Sequence, residues 1–255
     1  MQRAECALEA RALTTLTLIA ASREEVPLHA LPALGVDPEV PGQLAEERWI
    51  EMGATGVCLA RPGERAAILS GAPAEARTAH RTLGTWLAAS LGDSARGPLA
   101  ESALAAQITA HHIGAGSLKT VRRLLDRHTE LIRIHPDAWL ENAHRLSEVS
   151  ANDTGLAMCA AAIFEGAGRS REALRVLARA LRRDRSLARR SALWHCAGNA
   201  YLRAGQVAHA DRALARALTV AAPEDRAEIL DALSRVLIKR GAFAEAERVA
   251  ADGLA

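Results

Sequence analysis

The sequence predicts an all-α protein that is built largely of tandem helix pairs. Helix-forming Ala, Leu, Arg and Glu dominate the 255 residues, whereas aromatic residues make up only 3%. Similar turns recur in EGAGRSREAL, LRAGQVAHADRAL and IKRGAFAEAERV. In each turn a glycine closes one helix and an amphipathic Ala/Leu/Arg helix opens a few residues later, which is the pattern of a helical repeat.

The glycine spacing identifies the type of repeat. Gly205 follows Gly168 by 37 residues and precedes Gly241 by 36 residues, close to the period of about 34 residues of tetratricopeptide repeats. Gly198 and Ala210 are predicted to be small because two helices approach each other there. With Ser191 as position 1, these residues fall where the repeat pattern has W, L, G, Y, G, A, F, A and P: Trp194, Ala197, Gly198, Tyr201, Gly205, Ala210, Leu214, Ala217 and Ala222 or Pro223.

Three repeat units can be delimited, over residues 154–190, 191–226 and 227–255. Upstream of them, SLKTVRRLLDRHTELIRI and PDAWLENAHRLSEV have the periodicity of amphipathic helices but not the repeat register. We therefore predict a tetratricopeptide-like α-superhelix over residues 101–255, with a degenerate first half.

The N-terminal segments predict a different module. ECALEARALTTLTLIAAS, VPLHALPALGV and PEVPGQLAEERWIEMG are predicted helices, and ATGVCLARPG alternates like a short strand or wing. Three helices followed by a β-wing is the winged-helix order. We predict a winged-helix-like module over residues 1–63, with Trp49 and Ile50 in its core, and a helical connector over residues 64–100 that breaks at Gly71-Ala72-Pro73.

The cysteines and the apolar segments indicate the cellular compartment, whereas the net charge predicts no particular partner. The net charge is only +2, but residues 1–60 hold nine Asp and Glu against four Arg. Four widely spaced cysteines without a C-x-x-C motif predict reduced thiols. The apolar run ALTTLTLIAA is too short to span a bilayer, and Glu5 and Glu9 are atypical of a signal peptide. We expect a cytoplasmic protein.

The order of these segments resembles the C-terminal half of signal-transduction ATPases of the STAND type. The resemblance runs from LTLIAASREEVPLHALPALGVDPEV through LAEERWIEMGATGVCLARPGERAAIL and PAEARTAHRTLGTWL into the repeats. The family includes large regulators related to the maltose activator and to antibiotic-regulator ATPases. The resemblance implies a sensor module in signal transduction or transcriptional regulation. Because these residues contain no Walker motif, it implies either a fragment or a stand-alone derivative.

The predicted partner site lies on the concave face of the repeats. In tetratricopeptide folds this face is lined by fixed positions of each first helix, and donors held on rigid helices suit a carboxylate or acidic peptide. Asn199, Arg203, Arg235 and Lys239 form a possible clamp of this kind, and an ordinary polar inner face is the alternative. The complete set of predicted groove residues is His195, Asn199, Arg203, Asp231, Arg235 and Lys239.

A band of arginine forms a second candidate surface. Residues 169–190 hold nine Arg against Glu172 and Asp184. The band suits an acidic partner, but no aromatic residues interleave it to stack on nucleic acid bases, and a solvated helix face is the alternative. The predicted acidic-partner patch consists of Arg175, Arg179, Arg182 and Arg183.

Catalytic and cofactor motifs are not found in the sequence. IGAGSLKT, residues 113–120, has Leu118 where a phosphate loop needs a glycine before its lysine. The histidines lack metal-ligand spacing. We expect no enzyme activity, no cofactor and no metal, and a protein, a peptide or a small effector as partner.

Two alternatives remain open beside this sensor or adaptor hypothesis: a DNA-binding winged-helix regulator with an effector-sensing repeat domain, and a passive assembly scaffold. DNA binding is disfavoured by four carboxylates on the third helix, against Arg48 alone, because they would repel phosphates. These carboxylates are Glu39, Glu46, Glu47 and Glu51.

Overall fold

The computed structural model describes residues 2–22, 24–89, 97–150 and 153–254. These residues form fourteen α-helices and one three-stranded sheet, so the chain is mostly helical. The chain divides into two compact units, residues 1–128 and 129–255. The domain boundaries expected after residues 63 and 100 both lie inside the first unit and stay predictions.

The first part of the N-terminal unit combines helices with a small antiparallel sheet in the order β1-β3-β2. Val26 of β1 is opposite Val57 of β3, and Ile50 of β2 is opposite Leu59 of β3; all four side chains are buried in the unit's apolar core. The elements are α1 (Gln2–Ala21), β1 (Val26–Pro27), a 3-10 turn (Leu28–Ala30), α2 (Val40–Glu46), β2 (Ile50–Met52) and β3 (Gly56–Leu59).

The helix predicted over residues 38–53 is shorter than the sequence indicates. It ends at Glu46, where Arg48 adopts a left-handed backbone (φ 61°) and the Trp49 N–H donates to the Leu44 carbonyl at 2.9 Å. A strand then begins at Ile50. No glycine signals this ending, because an arginine occupies the position that glycine usually takes. The core prediction is correct for Ile50, which is 2% exposed, and wrong for Trp49, which is 40% exposed.

The helix predicted over residues 26–36 is also replaced, here by β1 and the 3-10 turn that follows it. β1 pairs with β3, and the Leu28 N–H donates to the Thr55 carbonyl at 2.9 Å. Pro27 has no N–H to give to a helix. The all-α prediction is therefore corrected, because this unit contains one small sheet. The sequence indicated only one of its three strands, β3.

The rest of the N-terminal unit is helical. The predicted break at residues 71–73 is present, since α3 ends at Gly71 and α4 begins at Pro73. IGAGSLKT is a helix-capping turn in which Gly116 has φ 68° and the Ser117 N–H donates to the His112 carbonyl at 2.9 Å. The elements are α3 (Arg65–Gly71), α4 (Pro73–Ala89), α5 (Pro98–Gly114) and α6 (Leu118–Arg127).

The C-terminal unit opens with an irregular part and continues as three helix pairs. The single amphipathic helix expected near residues 117–134 is interrupted at His128, so that its second half becomes the first helix of this unit. The elements are α7 (Thr129–Ile134), a 3-10 turn (Pro136–Trp139), α8 (Leu140–Val149), α9 (Thr154–Gly166), α10 (Ser170–Arg183), α11 (Leu187–Arg203), α12 (Val207–Val220), α13 (Arg226–Lys239) and α14 (Phe243–Leu254).

The three glycines that mark the repeat close the first helix of each pair. Gly168, Gly205 and Gly241 have φ angles of 73°, 73° and 78°, a region that costs glycine little. The residue after each glycine donates its N–H to a carbonyl in the last turn of the helix, which satisfies an otherwise unpaired acceptor. These bonds are Arg169 to Phe164 at 2.7 Å, Gln206 to Tyr201 at 2.9 Å and Ala242 to Leu237 at 3.0 Å.

Close packing inside the middle pair confirms the predicted role of its small residues. A Cβ placed on Gly198 would lie 2.5 Å from Cγ of Leu214, and Ala210 is completely buried. The buried Ser191 hydroxyl also donates to the Ala217 carbonyl of α12 at 3.1 Å. Together these contacts fix α11 against α12.

Candidate functional site

The first helices of successive pairs carry the candidate site. α9 contacts α11, and α11 contacts α13. Residues at the same position of each repeat therefore recur along one surface, which we call the inner face. α11 and α13 supply most of its polar groups.

A cavity of about 560 Å³ opens on the inner face between α11, α13 and α14. Four predicted groove residues line it: His195 and Asn199 from α11, and Asp231 and Arg235 from α13. Glu228 adds a further carboxylate from α13. A cavity of this volume is large enough for a side chain or a small molecule.

Two of the residues that line this cavity each have a buried side-chain atom without a hydrogen-bond partner within the described residues, namely Nε2 of His195 and Oδ1 of Asn199. Buried polar atoms are normally paired, because an unpaired one keeps the full cost of losing its water. Burial is the main cause that lowers the pKa of His195, and Arg235 lowers it further against the opposing carboxylates. The imidazole is therefore neutral at pH 7, and α11 carries two polar atoms whose hydrogen-bonding capacity is unused within the described residues.

The charges around the cavity are mainly negative. Asp231 and Arg235 form an ion pair at 3.1 Å within α13, which leaves the carboxylate of Glu228 as the excess charge. Oδ1 of Asn199 is an acceptor as well. The cavity is therefore better suited to a group that donates hydrogen bonds than to the carboxylate that the clamp hypothesis anticipates.

The predicted clamp is divided in the structure. Asn199 and Arg235 line the cavity, whereas Arg203 lies beside Glu165 of α9, with 3.5 Å between Nε and Oε2. Lys239 is exposed at the end of α13 and does not line the cavity. The assignment of the six groove residues to partner binding remains a prediction, of which four members share one cavity.

Glu165 is a member of the inner face that the sequence reasoning missed. It occupies position 12 of the unit that starts at Thr154, the position that Leu202 and Ile238 hold on the first helices of the two later units. Its side chain is only 10% exposed, and burial raises the pKa of its carboxyl to about 7 although Arg203 opposes the shift. Applying the same register to the first unit would have found it.

Two cysteines recur in the same register. Cys159 and Cys196 are both position 6 of their units, on α9 and α11. Burial is the largest cause that raises the pKa of the Cys196 thiol to about 12, and Glu165 and Cys159 add to the shift. Cys196 is therefore a neutral packing group beneath the inner face.

The four residues of the predicted acidic-partner patch, all exposed on α10, have different surroundings. Arg179 donates to the Ser147 carbonyl at 2.9 Å. Arg182 lines a cavity between α10 and α11, whereas Arg183 lines a separate cleft beside Asp184. Arg175 lines neither. The structure does not gather the four into one pocket, and their role in partner binding stays a prediction.

The described residues contain no group of three or more His, Cys, Asp or Glu placed to hold a metal ion. Among the helices in the described ranges, none combines the length and apolarity that crossing a membrane requires.

Comparison with known proteins relates the chain to others through its fold alone. No protein-family model matches it, and no curated protein matches it in sequence. Among solved structures it is similar to a signal transduction ATPase with numerous domains (STAND) that has a tetratricopeptide repeat sensor, from Pyrococcus horikoshii. The two are 17% identical with a TM-score of 0.50, over 96% of this chain and 37% of that one.

This similarity is one of fold: it supports the helical-repeat prediction, and the structure matched is itself a STAND protein. The chain spans little more than a third of the length of the related structure. Together with the repeat geometry, the similarity defines the class of fold: a mostly helical, tetratricopeptide-like repeat assembly.

Proposed function

We propose that the chain is a recognition module, a sensor or adaptor in signal transduction, whose inner face binds a protein, a peptide or a small effector. One observation carries the proposal: a cavity on α11 and α13 in which Nε2 of His195 and Oδ1 of Asn199 are buried without partners. A ligand that reaches these atoms through a small shift of the two side chains would supply their missing hydrogen bonds, which contributes to binding. Binding without turnover is part of this proposal.

The charge of the cavity indicates what the ligand carries. Glu228 and Asp231 outnumber Arg235, and Asn199 offers an acceptor. A ligand with an ammonium, guanidinium or amide donor complements this set. The proposed ligand is therefore a donor-rich group, such as the side chain of a lysine or arginine in a partner protein.

The test is a peptide array of random sequences, followed by fluorescence anisotropy on the peptides that bind. We expect binders rich in Lys and Arg, and Asn199→Leu should weaken them by about tenfold or more, since one hydrogen bond to a charged group is lost. Asp231→Asn, which alters an exposed residue, should also weaken them. Arg212→Ala on α12, outside the cavity, is the matched control.

Two results would contradict the proposal. One is equal binding by the wild-type chain and both cavity variants. The other is that no peptide or metabolite pool raises the melting temperature of the wild-type chain, because a ligand that binds only the folded state must stabilise it. The second result would favour the passive scaffold instead.

We also propose that the first part of the N-terminal unit is a winged-helix-like module, and that the chain is related to the transcriptional regulators named above. The order helix, strand, turn, helix and β-hairpin supports this assignment. DNA binding by the module is the weaker alternative. Glu39, Glu46 and Glu47 are exposed on or beside α2, where they would repel phosphates.

Titration with duplex DNA at two salt concentrations separates these alternatives. We expect no binding at low salt through this module. Binding that weakens steeply as salt rises would instead support the DNA-binding regulator, because neutralised phosphates release counterions.

A further inference from the structure

We propose that a second cavity in the C-terminal unit, between α10 and α11, binds a small organic acid that has an anionic head and an apolar body. The cavity has a volume of about 440 Å³ and shares no lining residue with the inner-face cavity. The proposal therefore does not depend on the function proposed above.

The interior of this cavity is apolar and aromatic. α10 contributes Leu174, Ala178 and Leu181, and α11 contributes Trp194 and Tyr201. Both aromatic side chains are half-buried, so part of each remains available to a ligand. Aromatic and aliphatic walls of this kind bind the apolar body of a ligand.

The charged groups that line the cavity are all cations. Arg182 is exposed at the cavity, and no carboxylate in the described parts of the chain pairs with it. Arg190 also lines it and is held in place, because its Nη1 donates to the carbonyls of Leu181 at 2.9 Å and Asp184 at 3.0 Å. These bonds leave Nε and Nη2 of Arg190 for another acceptor.

Another arginine, which does not itself line the cavity, contacts one of its aromatic residues. The guanidinium of Arg216 lies over the Trp194 ring, 5.0 Å from its centroid. No carboxylate is among the residues described as lining the cavity. Arginine next to aromatic surface is favourable for a carboxylate attached to an apolar group, because one part of the site pairs the charge and the other covers the body.

The charge and the volume of the cavity together indicate the class of ligand that it binds. A cation would face Arg182 and Arg190 without a counter-charge, so it should be excluded. The volume lies in the range of small-molecule pockets, which span about 300–1,000 Å³. Aliphatic and aromatic acids share the required chemistry, and probes of each kind distinguish them.

The experiment is isothermal titration of the full chain with decanoate and with 2-naphthoate. Decyltrimethylammonium and 2-naphthylmethylammonium serve as cationic counterparts of the same apolar bodies. We expect at least one acid to bind with a Kd below about 1 mM, and both cations to bind at least about tenfold more weakly. The tighter acid shows whether the natural ligand has an aliphatic or an aromatic body.

Variants locate the binding. Arg182→Gln should weaken binding of the acid by about fivefold or more, whereas Arg171→Gln, three turns earlier on α10 and outside the cavity, should leave it within about twofold. Ala178→Leu fills the cavity from an exposed position on α10, so it should abolish binding while the chain stays folded. Circular dichroism checks the fold of each variant.

Three outcomes would overturn the proposal: neither acid binds the wild-type chain, the cations bind as tightly as the acids, or Arg171→Gln has the same effect as Arg182→Gln. In the last case the acids bind to the arginine-rich surface of α10 and not to the cavity. None of these outcomes affects the inner-face cavity, which is tested by its own variants.

Discussion

Nε of Arg203 lies 3.5 Å from Oε2 of Glu165, which joins the end of α11 to the end of α9 across the inner face. The two ends of this ion pair differ in environment, because the arginine side chain is 62% exposed and the glutamate 10%. Burial keeps the pKa of Glu165 at about 7, above its ordinary value of 4.5, despite the nearby cation. The pair is therefore a place where stability depends on pH.

Glu165→Gln should stabilise the chain at alkaline pH. A carboxyl with a raised pKa in the folded state binds its proton more tightly when folded, so the wild-type chain loses stability as pH rises from about 4.5 to about 7. Glutamine does not ionise. The free energy of unfolding of the variant, relative to that of the wild type, should therefore rise by about 2 kcal/mol from about pH 5 to about pH 8. Urea denaturation at both pH values measures the gain.

The matched control is Glu247→Gln, which changes an exposed residue of α14 and should alter stability by less than about 0.5 kcal/mol. An equal difference between wild type and Glu165→Gln at both pH values would contradict the prediction.

Asp184→Asn should destabilise the chain at neutral pH and have a smaller effect on its stability in acid. The Thr154 hydroxyl, the Ser186 N–H and Arg189 all donate to this carboxylate, and they hold its pKa at about 2. The stability from a lowered pKa is present above the ordinary value near 3.8 and is lost as pH falls toward about 2. The variant should lose about 1–2 kcal/mol at pH 7.

Chemical denaturation at several pH values measures this loss, which should shrink below about pH 4. Asp211→Asn is the control, because Asp211 and Arg240 form a pair at the surface worth about 0.5 kcal/mol. An undiminished loss in acid would argue against the ionised carboxylate as its source.

Gly198→Ala should destabilise the C-terminal unit although alanine favours helices. The added Cβ would lie 2.5 Å from Cγ of Leu214, which is fully buried and cannot move aside easily. Overpacking costs about 1–3 kcal/mol, against a propensity gain of about 1 kcal/mol. In Gly42→Ala of α2 nothing lies within 4 Å of the new atom, so that variant should keep the gain. Thermal unfolding compares the two, and a more stable Gly198→Ala would refute the close approach.

Ile50→Ala and Trp49→Ala should differ in cost although the residues are adjacent. Ile50 is 2% exposed and pairs with β3, so its truncation should cost about 2–4 kcal/mol. Trp49 is 40% exposed, so its truncation should cost less than Ile50→Ala despite its greater size. Denaturant titration gives both values. A larger loss for Trp49→Ala would contradict the end of α2 at Glu46.

Residues with a local physical signature were predictable from the sequence. Gly168, Gly205 and Gly241 mark turns that need a left-handed backbone, and Gly198 marks a close helix contact. The end of α2 was not predictable in this way, since Arg48 takes the left-handed position without a glycine. The short strand β1 was missed because two residues carry no alternating pattern, and only pairing with β3 defines them.

The sequence predicted where the residues of the candidate site lie, but not which of their charges and polar atoms are paired. The repeat register placed His195, Asn199, Asp231 and Arg235 on one surface, and the structure brings them to one cavity. The register does not reveal that Arg203 forms an ion pair with Glu165, because that pair depends on the distance between α9 and α11. Which polar atoms lack a hydrogen-bond partner likewise depends on how the helices pack.

The half-buried Cys196 can report on the state of the inner face through the reactivity of its thiol. Only the thiolate attacks alkylating reagents, and a pKa of about 12 leaves almost none of it at neutral pH in the closed state. Labelling of this residue at neutral pH is therefore slow, and its rate should rise when local opening of the inner face hydrates the thiol. A ligand seated there would slow the reaction, and the thiol would record occupancy without an added probe.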